Sequence, residues 1–506
     1  LAGIAAGFAG LATSYFAAMA LTIRESPVVA VAELVIRLTP GPVAEYLIGL
    51  VGKLDKPLLV FGILLVLTAV FAWAGRLAER IWWAPAVVYA ALGAVGAYAV
   101  STQRGSAAID ALPVAVGFVT WMITLSLLTE PLRTAAVGAA DAGSPADLEA
   151  SQSHSRRTFL VRAGIVVAAA GVLGVVGRVV GRGRRHVEEV RSLLRLPQVT
   201  SPQVPAGASL AIPGISRWMT PADSFYRIHT AIVVPAIEPK DWTLRIHGMV
   251  EREITLTYAD LLDRQFTEAW VTLNCVSNEV GGDLIGNAWW SGVRLAPILA
   301  EAGVLPGADA VVQTSDDGWN CGTPLAALTD DRNAMLAVAM NGRPLPIDHG
   351  FPVRTIVPGL YGYVSATKWV VDMNVSTFDK IEAYWTERGW TELGPTKIAS
   401  RIDVPRSGQE VDAGEVVFAG VAWDQHTGIS AVEFSVDGGE WIGADLATVP
   451  NVDTWVQWSG RAEVESGDHI VTVRATDKNG EVQTDVERPP YPEGSSGWHS
   501  QDFSAS

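Results

Sequence analysis

Ser155-Arg156-Arg157-Thr158-Phe159-Leu160 reads S-R-R-T-F-L and opens an apolar segment in the middle of a 506-residue chain. Two arginines ahead of a moderately hydrophobic helix form the address for twin-arginine export, which moves proteins that have already folded. Arginines also anchor helices on their cytoplasmic side without exporting anything. Ser155, Phe159, Leu160 and the glycine-rich stretch behind them favour export. Folded export suits a protein whose cofactor must be inserted before it leaves the cytoplasm.

The motif separates two compositions. Up to about residue 181 the chain is dominated by Ala, Val, Leu and Gly, whereas beyond about residue 200 it has the mixture of globular domains. Stretches 1–23, 57–75, 81–100 and 111–129 have the length and apolarity of membrane spans, and 159–181 supplies a fifth. Residues 27–52 are apolar but carry Glu33, Arg37 and Glu45 and break at Pro40-Gly41-Pro42. They are expected to form two short interfacial helices, with a full crossing as the alternative.

Placing Arg156 and Arg157 in the cytoplasm puts the soluble part outside it. The loop with Arg76 and Arg80 then faces the cytoplasm, as positive loops do. Arg24, Arg37, Lys53 and Lys56, and the basic run 178–185, agree less well with this orientation. The spans hold no histidine to ligate a haem and almost no charge near their centres. An anchoring role is therefore expected rather than transport.

The net charge of -16 comes mainly from the later part, so no basic surface is available for nucleic acid. Residues 192–213 read as a Pro/Ser/Ala-rich linker. Strands are then expected at 242–248 and 254–256 and a helix at 295–303, an α+β pattern without nucleotide-binding glycine motifs. Beyond 399, strands at 416–422, 431–436, 455–458 and 470–475 alternate with turns such as Asp437-Gly438-Gly439 and Lys478-Asn479-Gly480. This spacing predicts an immunoglobulin-like β-sandwich. The two cysteines, Cys275 and Cys321, are too few for a disulfide framework, although one bond between them would suit an exported domain.

Several stretches of the soluble part resemble the sulfite-oxidase family of molybdenum enzymes over about residues 205–500. They are F-Y-R-I-H-T (225–230), T-L-N-C-V-S-N (272–278), W-S-G-V-R-L (290–295) and D-D-G-W (316–319), with a long run at 340–369. That run is M-N-G-R-P-L-P-I-D-H-G-F-P-V-R-T-I-V-P-G-L-Y-G-Y-V-S-A-T-K-W. Hydropathy before about residue 204 and the resemblance after it together imply a multidomain chain. Transmembrane helices 1–4 would occupy 1–135. A cytoplasmic loop, the export motif, helix 5 and the linker would fill 136–204. An α+β molybdopterin domain would span 205–398, and an immunoglobulin-like dimerisation-type domain 399–506.

The resemblance also implies roles. Cys275 is the metal ligand, consistent with the soft sulfur donors that molybdenum takes from a pterin dithiolene. Arg227, His229, Asn278, His349, Arg354, Ser365 and Lys368 match cofactor-facing positions, for molybdopterin without an attached nucleotide. Arg227 is also the surviving substrate-side arginine. Cys321 matches no family role and is expected as a packed free thiol, with Trp290 and Trp369 in the core.

Sulfite oxidases place an arginine five residues after the ligand cysteine and a tyrosine two residues before the M-N-G run. This chain has Val280 and Val338 there. Glu279 and Asp283 beside the cysteine further disfavour an anion. The expectation is oxygen-atom transfer on an S-oxide or other small substrate, with a quinone-linked or haem protein as external electron partner and a homodimer as a possible assembly. Oxidation of a sulfite-like anion and a non-catalytic membrane scaffold are the alternatives.

Overall fold

A computed structural model describes residues 1–506 except 24, 52–53, 82, 141–144 and 181–182. Arg24, Lys53 and Gly181, which figure in the sequence argument, lie outside the described residues. The chain forms two units, Leu1–Val187 with Ala231–Pro235, and Glu188–Thr230 with Ala236–Ser506.

In the first unit, helices long and apolar enough to cross a membrane occupy Ala2–Ala20, Asp55–Ala78, Ala84–Ser101, Ala108–Pro131 and Ser155–Arg178. They coincide with the five expected segments. Residues 27–52 give two short helices, Pro27–Leu38 and Gly41–Val51, separated at Thr39 and Pro40 as the proline pattern requires. Arg37 on the first donates to the Thr102 carbonyl and hydroxyl at 2.9 and 2.8 Å.

Glycines let the spans approach closely. A Cβ at Gly7 would stand 2.1 Å from the Phe71 ring, and one at Gly10 would stand 2.1 Å from Trp121. Trp121 Nε1 donates to the Gly7 carbonyl at 2.8 Å. Small residues at helix crossings are the usual means of packing in lipid, where apolar burial gives no net drive.

Two features depart from expectation. The S-R-R motif lies well inside the helix Pro145–Val180 rather than at its start, with Arg156 and Arg157 exposed. An amphipathic helix, Gly183–Leu193, then follows where a basic loop and linker were expected. The rest of that linker is not loose. Leu194, Leu196 and Val199 pack against the core of the second unit, and the Leu210 amide donates to Gln457 Oε1 at 2.6 Å.

In the second unit, residues 239–376 build two sheets. One runs in the order Ile254–Thr257, Thr243–Gly248, Val370–Ser376, Ala310–Ser315, Asn320–Pro324, with only the Thr243–Gly248/Val370–Ser376 pair parallel. The other orders Thr267–Asn274, Ile285–Arg294, Met335–Met340 and Arg343–Pro344, with Arg354–Ile356 also paired to Met335–Met340. Met335–Met340 reads M-L-A-V-A-M and is buried throughout, so it lacks the alternation of a half-exposed strand. Leu244, Ile246, Val311 and Met373 share one core with Val293, Leu336 and Val338. Helix Leu295–Ala302 ends on Gly303 at φ +70°, a left-handed terminus that suits glycine.

Beyond residue 399 a four-stranded and a five-stranded sheet bury a common core. Ile402, Phe418 and Trp458 come from one, and Val432, Phe434, Val473 and Phe503 from the other. Three of the four expected strands lie within Gly414–Trp423, Ile429–Val436 and Gly467–Asp477, and the fourth, expected at 455–458, starts one residue later as Val456–Val464.

Candidate active site

Cys275 follows the end of strand Thr267–Asn274. Asn274 pairs with Ile285, and the Cys275 amide extends the ladder to the Leu284 carbonyl at 2.9 Å. Within the enclosed loop, the Asn278 amide turns back to the Cys275 carbonyl at 3.1 Å. Asn278 Oδ1 accepts the Leu284 amide at 2.8 Å, so this side chain braces the loop from inside.

Three residues of the C-terminal region brace it from outside. Ser495 Oγ donates to the Asn278 carbonyl at 2.6 Å, and Arg401 Nη1 donates to the Gly282 carbonyl at 2.8 Å. The His499 imidazole lies against Gly281, whose φ of +75° and lack of space both demand glycine; a Cβ would fall 2.2 Å from the ring.

The long run contributes a turn, Ile347–His349, whose successive carbonyls each receive a side-chain donor. Ile347 accepts Trp369 Nε1 at 2.9 Å, Asp348 accepts Lys368 Nζ at 3.1 Å, and His349 accepts Arg354 Nη1 at 3.2 Å. Lys368 and Arg354 thus each donate to a carbonyl of this turn. Arg354 is only 4% exposed, lies over the Trp290 ring at 5.1 Å, and meets no carboxylate among the described residues. Burial lowers its pKa to about 10, which still leaves it charged at neutral pH. A buried guanidinium in this state calls for an anion.

His349 is buried, and its Nε2 lies 2.9 Å from the Ala222 carbonyl, which fixes the proton there. Nδ1 is then a buried acceptor without a partner. Burial, then the charges of Lys368 and Arg354, lower this imidazole to about 3, so it is neutral. A cation pair, an unused acceptor and a thiol suit an anionic pterin with sulfur donors. The residues present therefore fit the expected cofactor.

The half-buried Cys275 thiol is pushed up by burial, against donors from Ser277 and the charge of Lys368. Cys275 and Cys321 are both free thiols. Cys321 is buried 3.2 Å from the Thr367 hydroxyl and pushed up to about 11 by burial, as a packed thiol should be.

The remaining expected residues divide. Ser365 Oγ donates to the Tyr361 and Leu360 carbonyls at 2.9 and 3.2 Å, so its proton serves the turn Gly362–Ser365. His229 meets the Trp369 ring edge to face at 5.9 Å. Arg227 is exposed and pairs with Asp348 Oδ2 at 3.2 Å. Trp290 and Trp369 are buried in the core. Val280 is half-buried in the cysteine loop and Val338 is fully buried.

Tyr226 was not singled out from the sequence, yet it belongs to the site. Burial raises its phenol well above the ordinary range, with Cys275 adding to the shift and Arg354 opposing it. A Cβ on Gly362 would stand 3.9 Å from both the Tyr226 hydroxyl and the Asn274 carbonyl. Its place between Phe225 and Arg227 in a matching segment was the available signal.

Residues 231–385 match the family model of the oxidoreductase molybdopterin binding domain. An uncharacterized oxidoreductase of Bacillus subtilis, YuiH, is 31% identical over 171 residues, covering 34% of this chain and 83% of that protein. Human mitochondrial sulfite oxidase is 29% identical over 324 residues. The chain belongs to the sulfite-oxidase family of molybdopterin-dependent oxidoreductases. This family member covers 58% of the human enzyme's length, and the match takes in 54% of its own. The sulfane dehydrogenase SoxCD of Paracoccus pantotrophus shares the fold, with a TM-score of 0.50 at 23% identity over 57% of this chain and 84% of that one.

Proposed function

We propose that this chain is a membrane-anchored oxidoreductase whose catalytic unit lies outside the cytoplasm and reduces a small, neutral S-oxide. The observation that carries the reading is the buried Arg354, which meets no carboxylate among the described residues, beside His349 with its unused Nδ1. Molybdopterin bound there supplies the two-electron oxygen-atom exchange. Cys275 would hold the metal through its thiolate. Arg354, Lys368 and His349 would hold the pterin and its phosphate, with His229 and Asn278 completing the wall and Tyr226 bringing a hydroxyl beside the cysteine.

Neutral substrates are favoured by what the site lacks. A small oxyanion needs concentrated positive charge and donors, whereas Val280 and Val338 supply neither. Reduction of an S-oxide consumes two electrons and two protons and releases the corresponding thioether and water. The electrons would come from an external quinone-linked or haem protein docked at the membrane. The twin-arginine pair in a long apolar helix supports folded export. The two-sheet C-terminal region supports an immunoglobulin-like module of the kind that dimerises.

Metal analysis of full-length protein extracted from membranes tests the reading, with wild type beside Cys275→Ser. About one molybdenum per chain in the wild type, lost or displaced in the variant, is expected, followed by turnover with S-oxides rather than sulfite. Metal-free wild type from a cofactor-producing host would leave a scaffold instead.

A further inference from the structure

Tyr226, Tyr361 and Tyr363 stand around the turn Gly362–Ser365 and differ in what their hydroxyls do. Tyr361 accepts from the Lys397 amide at 3.3 Å, and Tyr363 donates to the Thr391 carbonyl at 2.7 Å. The Tyr226 hydroxyl has no hydrogen-bond partner among the described residues, and it is not sealed from solvent, so solutes reach it. Its ring is fixed from behind. Phe225 stacks on it with centroids 5.2 Å apart and planes at 22°, and Phe225 itself meets Trp290 and His349 edge to face at 5.9 and 5.8 Å. The hydroxyl end lies by Gly362, as the Asn274 carbonyl before Cys275 does. The charges of Cys275 and Arg354 both act on it.

We infer that Tyr226 is a catalytic residue whose hydroxyl donates a hydrogen bond to the oxygen of the substrate. The inference deepens the proposed reduction of an S-oxide and rests on that reading for the identity of the substrate. Other groups at the site are less suited to the task. Arg354 turns N–H groups to the carbonyls of His349, Thr355 and Ala366 at 3.2, 3.4 and 3.4 Å, and Val280 and Val338 carry no donor. A phenol is protonated at neutral pH, so Tyr226 is a donor throughout. An S–O oxygen gains negative charge as its bond to sulfur breaks. A fixed donor therefore holds it more tightly in the transition state than in the ground state. The phenol keeps its own proton and acts through this bond alone.

Dimethyl sulfone is the probe, since it presents neutral S–O oxygens and resists reduction. Its affinity is measured by calorimetry on the full-length holoprotein in detergent, for wild type, Tyr226→Phe and Tyr363→Phe, and expressed per bound molybdenum. Tyr226→Phe is expected to weaken binding about fivefold. Tyr363→Phe, which removes a hydroxyl already committed to Thr391, should bind as wild type does. With dimethyl sulfoxide as substrate, kcat should fall roughly a hundredfold in Tyr226→Phe alone. Tyr226→Met provides the same comparison should the phenylalanine variant fail to retain molybdenum.

Unchanged sulfone affinity or unchanged kcat in Tyr226→Phe, or an equal loss in Tyr363→Phe, would overturn the assignment. A parallel titration with sulfate separates it from the substrate reading. If no S-oxide is turned over and wild type binds sulfate but not the sulfone, the substrate reading fails. A fivefold loss of sulfate affinity confined to Tyr226→Phe would then uphold the donor, and no loss would sink it. A wild type that binds neither probe overturns the assignment as well.

Discussion

His499 shows how a single side chain can make a remote loop sensitive to pH. Burial, reinforced by Arg401, lowers it to about 4, against the ordinary value near 6.5 that it regains on unfolding. Between these values the unfolded chain binds the extra proton, so stability is lost as pH falls from about 6.5 to 4. His349, lowered to about 3, adds in the same sense, whereas Asp424, raised to about 6 by burial, works against it. His499→Gln should flatten the acid side of the stability profile by ~1.4 kcal/mol per pH unit, read from denaturation midpoints of the full chain in detergent. A profile parallel to wild type would mean that this imidazole is not buried as a neutral base. Residues of this kind were the least legible in the sequence. His499 and Ser495 lie over 200 positions from the loop they brace, and nothing in G-W-H-S identifies their partner. Cys275, His349 and Arg354 were legible because they fall within long matching runs. Tyr226 and Asp348 lay inside those runs too, but their roles depend on which charges they meet after folding.

The cysteine loop is the element on which the site turns, and Gly281 is its tightest point. Alanine there meets both a left-handed φ of +75° and the His499 ring. The expected cost is about 2–4 kcal/mol from strain and overpacking together. Gly281→Ala/His499→Ala should recover the packing part and leave ~1–2 kcal/mol of backbone strain. Thermal midpoints of the two variants against wild type decide this. Equal losses in both would show that the imidazole does not limit the loop. The long spans and the C-terminal strands were readable from hydropathy and alternation, because period and length survive in sequence. The interfacial pair Pro27–Leu38 and Gly41–Val51 was readable from its prolines. Helix Gly183–Leu193 was obscured by its arginines, which suggested a flanking loop although the turn-to-turn spacing of Val187 and Val190 is helical.

At the scale of the whole molecule, the two compositions correspond to two units whose boundary falls inside an amphipathic helix. If the S-R-R motif addresses the second unit for export, Arg156→Lys/Arg157→Lys should leave the spans inserted and the catalytic unit in the cytoplasm. Protease added to spheroplasts reads the result: the second unit is degraded in wild type and protected in the variant. Degradation in both would assign the arginines to helix anchoring alone. The sequence distinguished the units well, since hydropathy separates lipid-facing from water-facing chain. It did not show that residues 194–210 lie along the second unit, because apolar residues spaced among prolines carry no periodic signal.

The bond from Ser495 to the Asn278 carbonyl joins positions 217 residues apart in the chain. Synthesis at 5–20 residues per second separates their emergence by roughly 10–40 s. Throughout that interval the stretch with Cys275 has its inner brace within reach but lacks Ser495 and His499, while Arg401 arrives about midway. The fold thus includes a delay: whatever must settle beside the thiol has tens of seconds of open access before the later strands close over the loop.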